Sequence, residues 1–446
     1  MRKVVFRDFR VVDGDGEFFG SLVVENGVIS EIISNTYNET PANLIINGSE
    51  FGDSAALMPA FVDMHSHFRD PGGKGNLPPS EVSFPAKISL PAEVSFPAEM
   101  AESGSLAAVA GGFVTVVCMA NTKPAIDTIE KARILKIRCN TIGLVDLYPV
   151  ISLTKNMEGG ELSGIKDLVS VDNGGVRLPV LLSEDGKDVI DDDVFLAAMG
   201  EAKRLGIPVS CHCDKDGENN AVRRAIELGK KAGCHIHIAH VSTKESAEII
   251  REAKKNGNGI NGFFLTCEVT PHHIGASEDD ARRMGTESYG RVNPPLRTEA
   301  DRQAIIAAIN DGTIDAIATD HAPHTESDKA SGAPGFSGLE TAFTACYSSL
   351  PLCAPLSHCE GKYETGLQRI SALMSANPAQ ILGLQDRGRI AEGLRADLVI
   401  VDTHAEVKVD PEKFKSRGLC SPFAGKTLQG RVLFTMNAGR IVYGGY

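Results

Sequence analysis

The chain has 446 residues, 42% of them hydrophobic and 23% charged, with 45 Gly, 22 Pro and 10 Cys. Single cores stop growing near roughly 250–300 residues, so one ordinary core is excluded, and the composition excludes a fibrous, disordered or disulfide-stapled chain. Lys and Arg number 45 against 58 Asp and Glu, a net charge of −13, which argues against a nucleic-acid-binding or anionic-membrane surface.

In chain order, the first 57 residues carry short β patterns at 3–6, 21–25, 28–33 and 44–46, separated by Gly and Asn turns. MRKVVFRDFR runs straight into charge with no apolar segment behind it, so no secretory signal is expected. No stretch approaches the roughly 20 apolar residues of a membrane span. The cysteines lie scattered in apolar runs (Cys118, Cys234, Cys346), as buried thiols of a reducing compartment do. A cytoplasmic protein is the expectation.

From residue 58 the pattern becomes strand then helix, repeatedly. Strand runs fall at 60–64, 113–119, 143–151, 178–182, 208–211, 235–239, 263–269 and 314–318, with helical patterns at 98–110, 191–205, 221–232 and 244–255. Eight strand runs in about 260 residues is the count and length of a (β/α)8 barrel. A doubly wound open sheet is the competing layout, but no Gly-x-Gly-x-x-Gly turn follows the first strand. The last 55 residues return to β patterns at 396–401, 432–436 and 440–443. The expected fold is therefore α/β: a TIM barrel over 58–391, with a small β-sandwich-like domain composed of 1–57 and 392–446. One segment fits neither unit. Residues 81–98 are three hexads, EVSFPA, KISLPA and EVSFPA. Proline every six residues forbids a continuous helix or a central strand, so an extended surface insertion is expected.

Barrel active sites sit at the C-terminal ends of the strands. The first strand ends Asp63-Met64-His65-Ser66-His67-Phe68-Arg69. Residues i and i+2 of a strand share a side, so His65 and His67 present two imidazoles to one point, as a metal chelate does. Strand four ends at Glu184-Asp185-Gly186, strand five at His212, strand six near His240, and strand eight at Asp320-His321-Ala322-Pro323-His324. Each alone reads as a buried core histidine or a helix-capping carboxylate. Together, four imidazoles and two carboxylates suit two first-row divalent ions, with zinc the default for imidazole-rich sites. Cys211 and Cys213 flank His212, but by alternation they point away from it.

The stretches PAFVDMHSHFRDPG, MANTKP, HCD, AHVSTKES, EVTPHH, NPPLR, ATDHAPH and GFSGLETAF resemble the type I dihydroorotases of the amidohydrolase superfamily, over nearly the whole chain. The resemblance implies a zinc-dependent barrel hydrolase that interconverts dihydroorotate and carbamoyl aspartate in pyrimidine biosynthesis. It implies that His65, His67 and Asp320 hold one ion, His212 and His240 the second, and Asp185 bridges them in place of a carboxylated lysine. It gives Asp320 the proton-transfer role. Arg69, Asn121 and His324 match the substrate-carboxylate binders, Asn293 a pyrimidine-ring contact, and Gly335 a further substrate contact. It also implies a homodimer and association with aspartate transcarbamoylase. Glu184 stands where the family has a second Asp, Ala120 where it has Pro, and the segment 216–232 is shorter than usual. His235 and His237 are read as pointing away from the metals, and His272 and His273 as structural. The rival readings are another cyclic-amide hydrolase, an allantoinase or dihydropyrimidinase, and an inactive dihydroorotase-like scaffold for aspartate transcarbamoylase.

Overall fold

Runs rich in Val, Ile, Phe and Leu suit a pleated surface buried on both faces, and eight of them line up consecutively in this chain. A computed structural model describes residues 3–34, 41–70, 99–168, 178–350, 353–355 and 363–444. The hexads at 81–98 lie outside the described residues.

The terminal strands are β1 (Lys3–Asp13), β2 (Gly16–Glu25), β3 (Val28–Ile33), β4 (Leu44–Asn47) and β5 (Ala55–Pro59). The barrel strands follow as β6 (Phe61–Ser66), β7 (Phe113–Cys118), β8 (Asp146–Pro149), β9 (Leu182–Ser183), β10 (Val209–Cys211), β11 (His235–Ile238), β12 (Phe264–Val269) and β13 (Ala316–Ile317). After a small hairpin, β14 (Cys353–Pro355) and β15 (Tyr363–Thr365), come β16 (Leu398–Lys408), β17 (Thr427–Asn437) and β18 (Arg440–Tyr443).

Strands β6, β7 and β8 pair in parallel in one sheet, and β9 to β13 pair in parallel in another. Two parallel bridges join them: Ile151 to Leu182 links β8 to β9, and Ser66 to His321 links β6 to the end of β13. The ring is thereby closed in sequence order, as in a (β/α)8 barrel. The eight strand runs read from the sequence are the eight strands of this ring. The helices 101–110, 192–205, 218–232 and 244–257 stand where the periodicity places them, and helices 129–142 and 299–310 are additional. Helix 192–205 shows the local logic. Asp191 caps it by accepting from the N–H groups of Asp193 and Val194, and Gly206 ends it in the left-handed conformation.

The two ends of the chain build one sheet, ordered β18-β17-β16-β5-β1-β2-β3 with β4 beside β1. β5 joins the halves: it runs parallel to β1 on one edge and antiparallel to β16 on the other, pairing Leu398 with Pro59. Phe6, Phe9, Phe51 and Phe434 fill its core, with ring centroids 5.8–6.5 Å apart. Only two residues after the end of β5 in Pro59, β6 enters the barrel, so the sheet clamps the strand that leads to His65. No helix among the described residues is long and apolar enough to cross a membrane. Cys118, Cys139, Cys211, Cys213, Cys234, Cys267, Cys346 and Cys420 are buried and unpaired.

Candidate functional site

Six side chains from five strand ends meet at the C-terminal mouth of the barrel. His65, on β6, places Nε2 3.1 Å from Asp185 Oδ1 and 3.5 Å from Asp320 Oδ1. His67 Nε2 lies 3.1 Å from Asp320 Oδ1 and 3.5 Å from Asp185 Oδ2. His212 Nδ1 is 3.4 Å from Asp185 Oδ1 and 2.9 Å from His240 Nε2. All six are buried. The sequence-predicted ligand set thus converges, with the two oxygens of Asp185 facing different imidazoles. Lys166, the nearest lysine upstream, pairs instead with the exposed Glu161.

The backbone bends to achieve this. Arg69, His240 and Asp320 occupy positive φ, at 50°, 33° and 43°. Non-glycine residues are held there only when their surroundings require it, and such residues concentrate at functional sites. One support is Asp63, which accepts from the Thr319 N–H at 2.8 Å and the Thr319 hydroxyl at 2.6 Å, locking β6 to the turn before Asp320. Another is Glu218, which accepts from the N–H groups of Ser242 and Thr243 behind His240 and is itself paired with Arg297 at 3.3 Å.

Charge explains why such a cluster invites cations. Burial pulls the His65 imidazole down, but Asp185 and Asp320 outweigh it and hold it well above its ordinary value. Burial, with His212 and His65 beside it, pushes His240 down to about 3. Burial would raise Asp185, yet His65 and His212 keep it well below the usual carboxylate range. His65 Nε2 and His240 Nδ1 are fully buried and find no hydrogen-bond partner among the described residues. A buried nitrogen facing two carboxylate oxygens at 3.1 and 3.5 Å without a hydrogen bond has the geometry of co-ligands around a shared cation. Two groups, His65–His67–Asp320 and His65–Asp185–His240, have ligand atoms within 4.8 Å of one another. The donor set fits first-row divalent ions.

Sequence reasoning missed the residues that aim the candidate ligands. Glu268 on β12 takes the other nitrogen of His65, Nδ1, at 2.8 Å and His237 Nε2 at 3.1 Å. The two imidazoles outweigh its burial and hold its carboxyl at about 2. His237 continues to Thr266 Oγ1 at 2.9 Å, which His235 Nε2 also meets at 2.9 Å. His237 meets Glu268 and Thr266 and not a candidate ligand, so it stands behind the cluster. The signal for Glu268 was a lone carboxylate in the apolar run FLTCEV.

Asn121 Oδ1 meets His67 Nδ1 at 2.8 Å, while its Nδ2 donates to Asp185 Oδ2 at 3.2 Å. The same Nδ2 also reaches the Asp185 carbonyl oxygen at 3.4 Å, so both of its N–H groups are directed at Asp185, and a ligand would have to take one over. Ala120, in place of proline, leaves the turn intact, its carbonyl accepting from Thr122 and Ile126. Glu184 accepts from the N–H groups of Leu153 and Thr154 and the Thr154 hydroxyl, so this departure anchors a loop beside Asp185. Arg69, half-buried, brings Nη2 within 3.5 Å of His324 Nε2, and no ion pair holds it among the described residues. His324 Nε2 donates to the Pro334 carbonyl at 2.8 Å, so its remaining nitrogen, Nδ1, is an acceptor in the neutral ring and donates to an anion only once the ring is protonated. Asn293 Nδ2 reaches His212 Nε2 at 3.1 Å. Gly335 has φ 143°, and a Cβ there would lie 2.3 Å from the Ala322 carbonyl oxygen. His272 is buried against His273 and Phe336, and its Nε2 has no partner among the described residues. Cys211 and Cys213 are buried thiols, both pushed up by burial.

The amidohydrolase family profile matches residues 56–442. A dihydroorotase of Clostridium botulinum is 36% identical over 450 residues, covering 99% of both chains. A dihydroorotase of Caldanaerobacter subterraneus is 35% identical, covering 99% of this chain and 97% of its own. Among solved structures, the L-hydantoinase (dihydropyrimidinase) of Arthrobacter aurescens superposes with a TM-score of 0.80 at 23% identity, covering 100% of this chain and 96% of its own. The dihydropyrimidinase of Brevibacillus agri gives 0.77 at 18%, covering 99% and 95%. At those identities the structures share the fold. The chain belongs to the amidohydrolase family.

Proposed function

We propose that this amidohydrolase is a dihydroorotase, opening dihydroorotate to N-carbamoyl aspartate and closing it again in pyrimidine biosynthesis. The observation that carries the reading is the Arg69 guanidinium, half-buried, without an ion pair among the described residues, beside His324 and near enough to Asp320 and Asp185 to feel their charge. Such a group asks for an anionic ligand, and a ring carboxylate is what distinguishes dihydroorotate from hydantoin or dihydrouracil. The dihydroorotase relatives, similar over nearly their full length, support the same choice.

In this reading His65, His67 and Asp320 would hold one divalent ion and His212 and His240 a second, with Asp185 offered to both, and zinc would be the ion that an imidazole-rich set favours. When bound, the ions supply Lewis acidity toward the ring carbonyl and an acidified water. Arg69 holds the substrate carboxylate, His324 joins it from Nδ1 once its ring takes up a proton that the substrate's charge favours, Asn121 turns to it an N–H otherwise directed at Asp185, and Asn293 and Gly335 border the ring, so that one ring amide faces the cluster. Asp320 accepts the proton of the attacking water and returns it to the ring nitrogen as the carbon–nitrogen bond breaks. The water oxygen ends in the new carboxylate, one of its protons on the released amide nitrogen, and the other leaves to solvent as the new acid ionises. The division into a barrel at 58–391 and a β unit from 1–57 and 392–446, a cytoplasmic homodimer, and association with aspartate transcarbamoylase belong to the same proposal.

The test is loss of dihydroorotate absorbance by the purified protein, with and without a chelator, beside hydantoin and dihydrouracil. Chelator-sensitive turnover of dihydroorotate alone is expected. Preferential turnover of a ring without a carboxylate would assign the site to the hydantoinase class instead, and no turnover of any ring with metal bound would leave the scaffold reading.

A further inference from the structure

None of the roles above uses Lys329, which follows the DHAPH motif in the short helix Glu326–Ala330. It is 1% exposed. Its ammonium donates to three backbone carbonyls, those of Arg291 at 2.8 Å, Ala333 at 2.9 Å and Gly335 at 3.0 Å. An ammonium has three N–H donors, and all three are spent. The face of Phe336 lies 5.2 Å away, and among the described residues no carboxylate pairs with it. A buried cation without a counter-charge is costly, and an apolar side chain of the same length would fill the space more cheaply. The carbonyl contacts therefore need an explanation.

What the three carbonyls share is the pocket. Arg291 begins the turn that leads to Asn293, and its carbonyl also accepts from the Gly335 N–H at 3.0 Å. Ala333 and Gly335 flank Pro334, whose carbonyl fixes His324 Nε2. At Gly335 the approach is so close that a Cβ would stand 3.2 Å from His324 Cδ2. One ammonium thus ties together the turn bearing Asn293, the anchor of His324 and the glycine facing it, on the side of the mouth where Arg69 arrives.

We propose that Lys329 is a positioning and specificity-determining residue: its ammonium joins the 291–293 and 333–335 turns into one wall of the pocket and adds a fixed positive charge that favours rings bearing a carboxylate. The inference rests on the proposed carboxylate subsite at Arg69 and His324. Lys329 touches no reacting atom in this scheme; it acts through the turns.

The experiment uses the full-length, metal-loaded protein with Lys329→Met, which keeps most of the side-chain length and loses charge and donors, and Lys329→Gln, which loses the charge but keeps two of the three N–H donors. Each is assayed for metal content, for kcat and KM with dihydroorotate, and for amide hydrogen exchange. A wall held by Lys329 predicts unchanged metal content, kcat within about threefold of wild type and a KM raised about tenfold or more in the Met variant, since lost ground-state positioning appears in KM. Exchange should quicken by about tenfold at 289–296 and 330–337 and stay unchanged in the strands. The Gln variant should fall between, and it carries the same expectations if the Met variant does not fold. Unchanged KM and unchanged exchange would overturn the proposal. So would loss of metal with exchange quickened throughout the barrel, which marks a merely structural lysine. Should the wild-type protein leave dihydroorotate untouched, the specificity half falls with the site reading, and the exchange arm alone decides the positioning half.

Discussion

Arg69→Lys is the substitution that separates the dihydroorotase reading from its rivals most sharply. The change keeps the positive charge and keeps a β-carbon at a backbone position with φ 50°, so neither net charge nor backbone strain alters. What goes is the planar fork, which offers a carboxylate two parallel N–H groups where an ammonium offers one. One charge-assisted hydrogen bond is worth about 1.5–3 kcal/mol. The guanidinium is half-buried and has no ion pair among the described residues to compete for it, so little of that value is screened away. Each 1.4 kcal/mol being a factor of ten, kcat/KM for dihydroorotate should fall about 10–100-fold. Metal content and melting temperature should stay near wild type, because Arg69 touches His324 rather than the ligand imidazoles. If Arg69 served only as a surface ion-pair partner, the variant would show a small stability loss and unchanged kinetics. Steady-state rates beside a metal assay and a melting curve distinguish these, and wild-type kcat/KM in the lysine variant would remove Arg69 from the site.

Glu268→Gln should weaken metal affinity about 10–100-fold in a chelator competition while the fold persists, as loss of a carboxylate behind a ligating histidine does; equal affinities would show that the Glu268–His65 contact has no bearing on the metals. Gly335→Ala forces a Cβ to within 2.3 Å of the Ala322 carbonyl oxygen, so kcat/KM should drop and stability fall by about 1–3 kcal/mol; a variant with normal kinetics would show that the turn has room to shift. Asp146→Asn tests the ionic cluster at the opposite end of β8, where Asp146 meets Lys136 Nζ, Arg387 Nη1 at 2.7 Å and the Tyr148 hydroxyl at 3.0 Å. Burial works against the Asp146 carboxylate, but Lys136 and Arg387 outweigh it and hold the group well below its usual range. An acid with a depressed folded value adds stability above its unfolded value near about 4 and loses it as pH falls. The Asn variant should therefore be about 3–5 kcal/mol less stable at neutral pH, with the gap closing below about pH 5, and urea melts showing a constant gap across pH would refute the pairing.

The metal-ligand candidates were legible because the chemistry depends on local spacing. His65 and His67 are two apart on one strand, and each remaining ligand stands just past an apolar run whose length already marked a barrel strand. The supports were not legible, because their partners are remote in sequence: Glu268 stands 203 residues from His65, and Asp63 stands 256 from Thr319. Alternation carries from His65 to His67, but β11 ends at Ile238 and His240 turns to φ 33°, so the place of His240 in the cluster follows from the turn and not from strand register, while His237 stays behind it against Glu268. Arg69 likewise arrives through a left-handed turn beyond β6 rather than by strand register. Helices 129–142 and 299–310 escaped because their apolar positions are diluted by charge: only Ala132, Leu135, Lys136 and Cys139 are buried in the first.

The solved neighbours sharpen where substrate choice must reside. Hydantoinases at 18–23% identity share this fold over nearly the whole chain, and a shared fold does not fix which substrate a member takes. The groups that hold the cluster lie on the strands or at their ends. The groups that would read the substrate, Arg69, Asn293, His324 and Gly335, lie on the turns beyond, each held by a contact that the strands do not supply: Asp70, the residue after Arg69, by Arg138 at 2.8 Å, His324 by the Pro334 carbonyl, and the flank of Asn293 by Lys329. A change of substrate in such a fold requires rebuilding those turns, and a change confined to the strand ends would abolish the reaction without redirecting it.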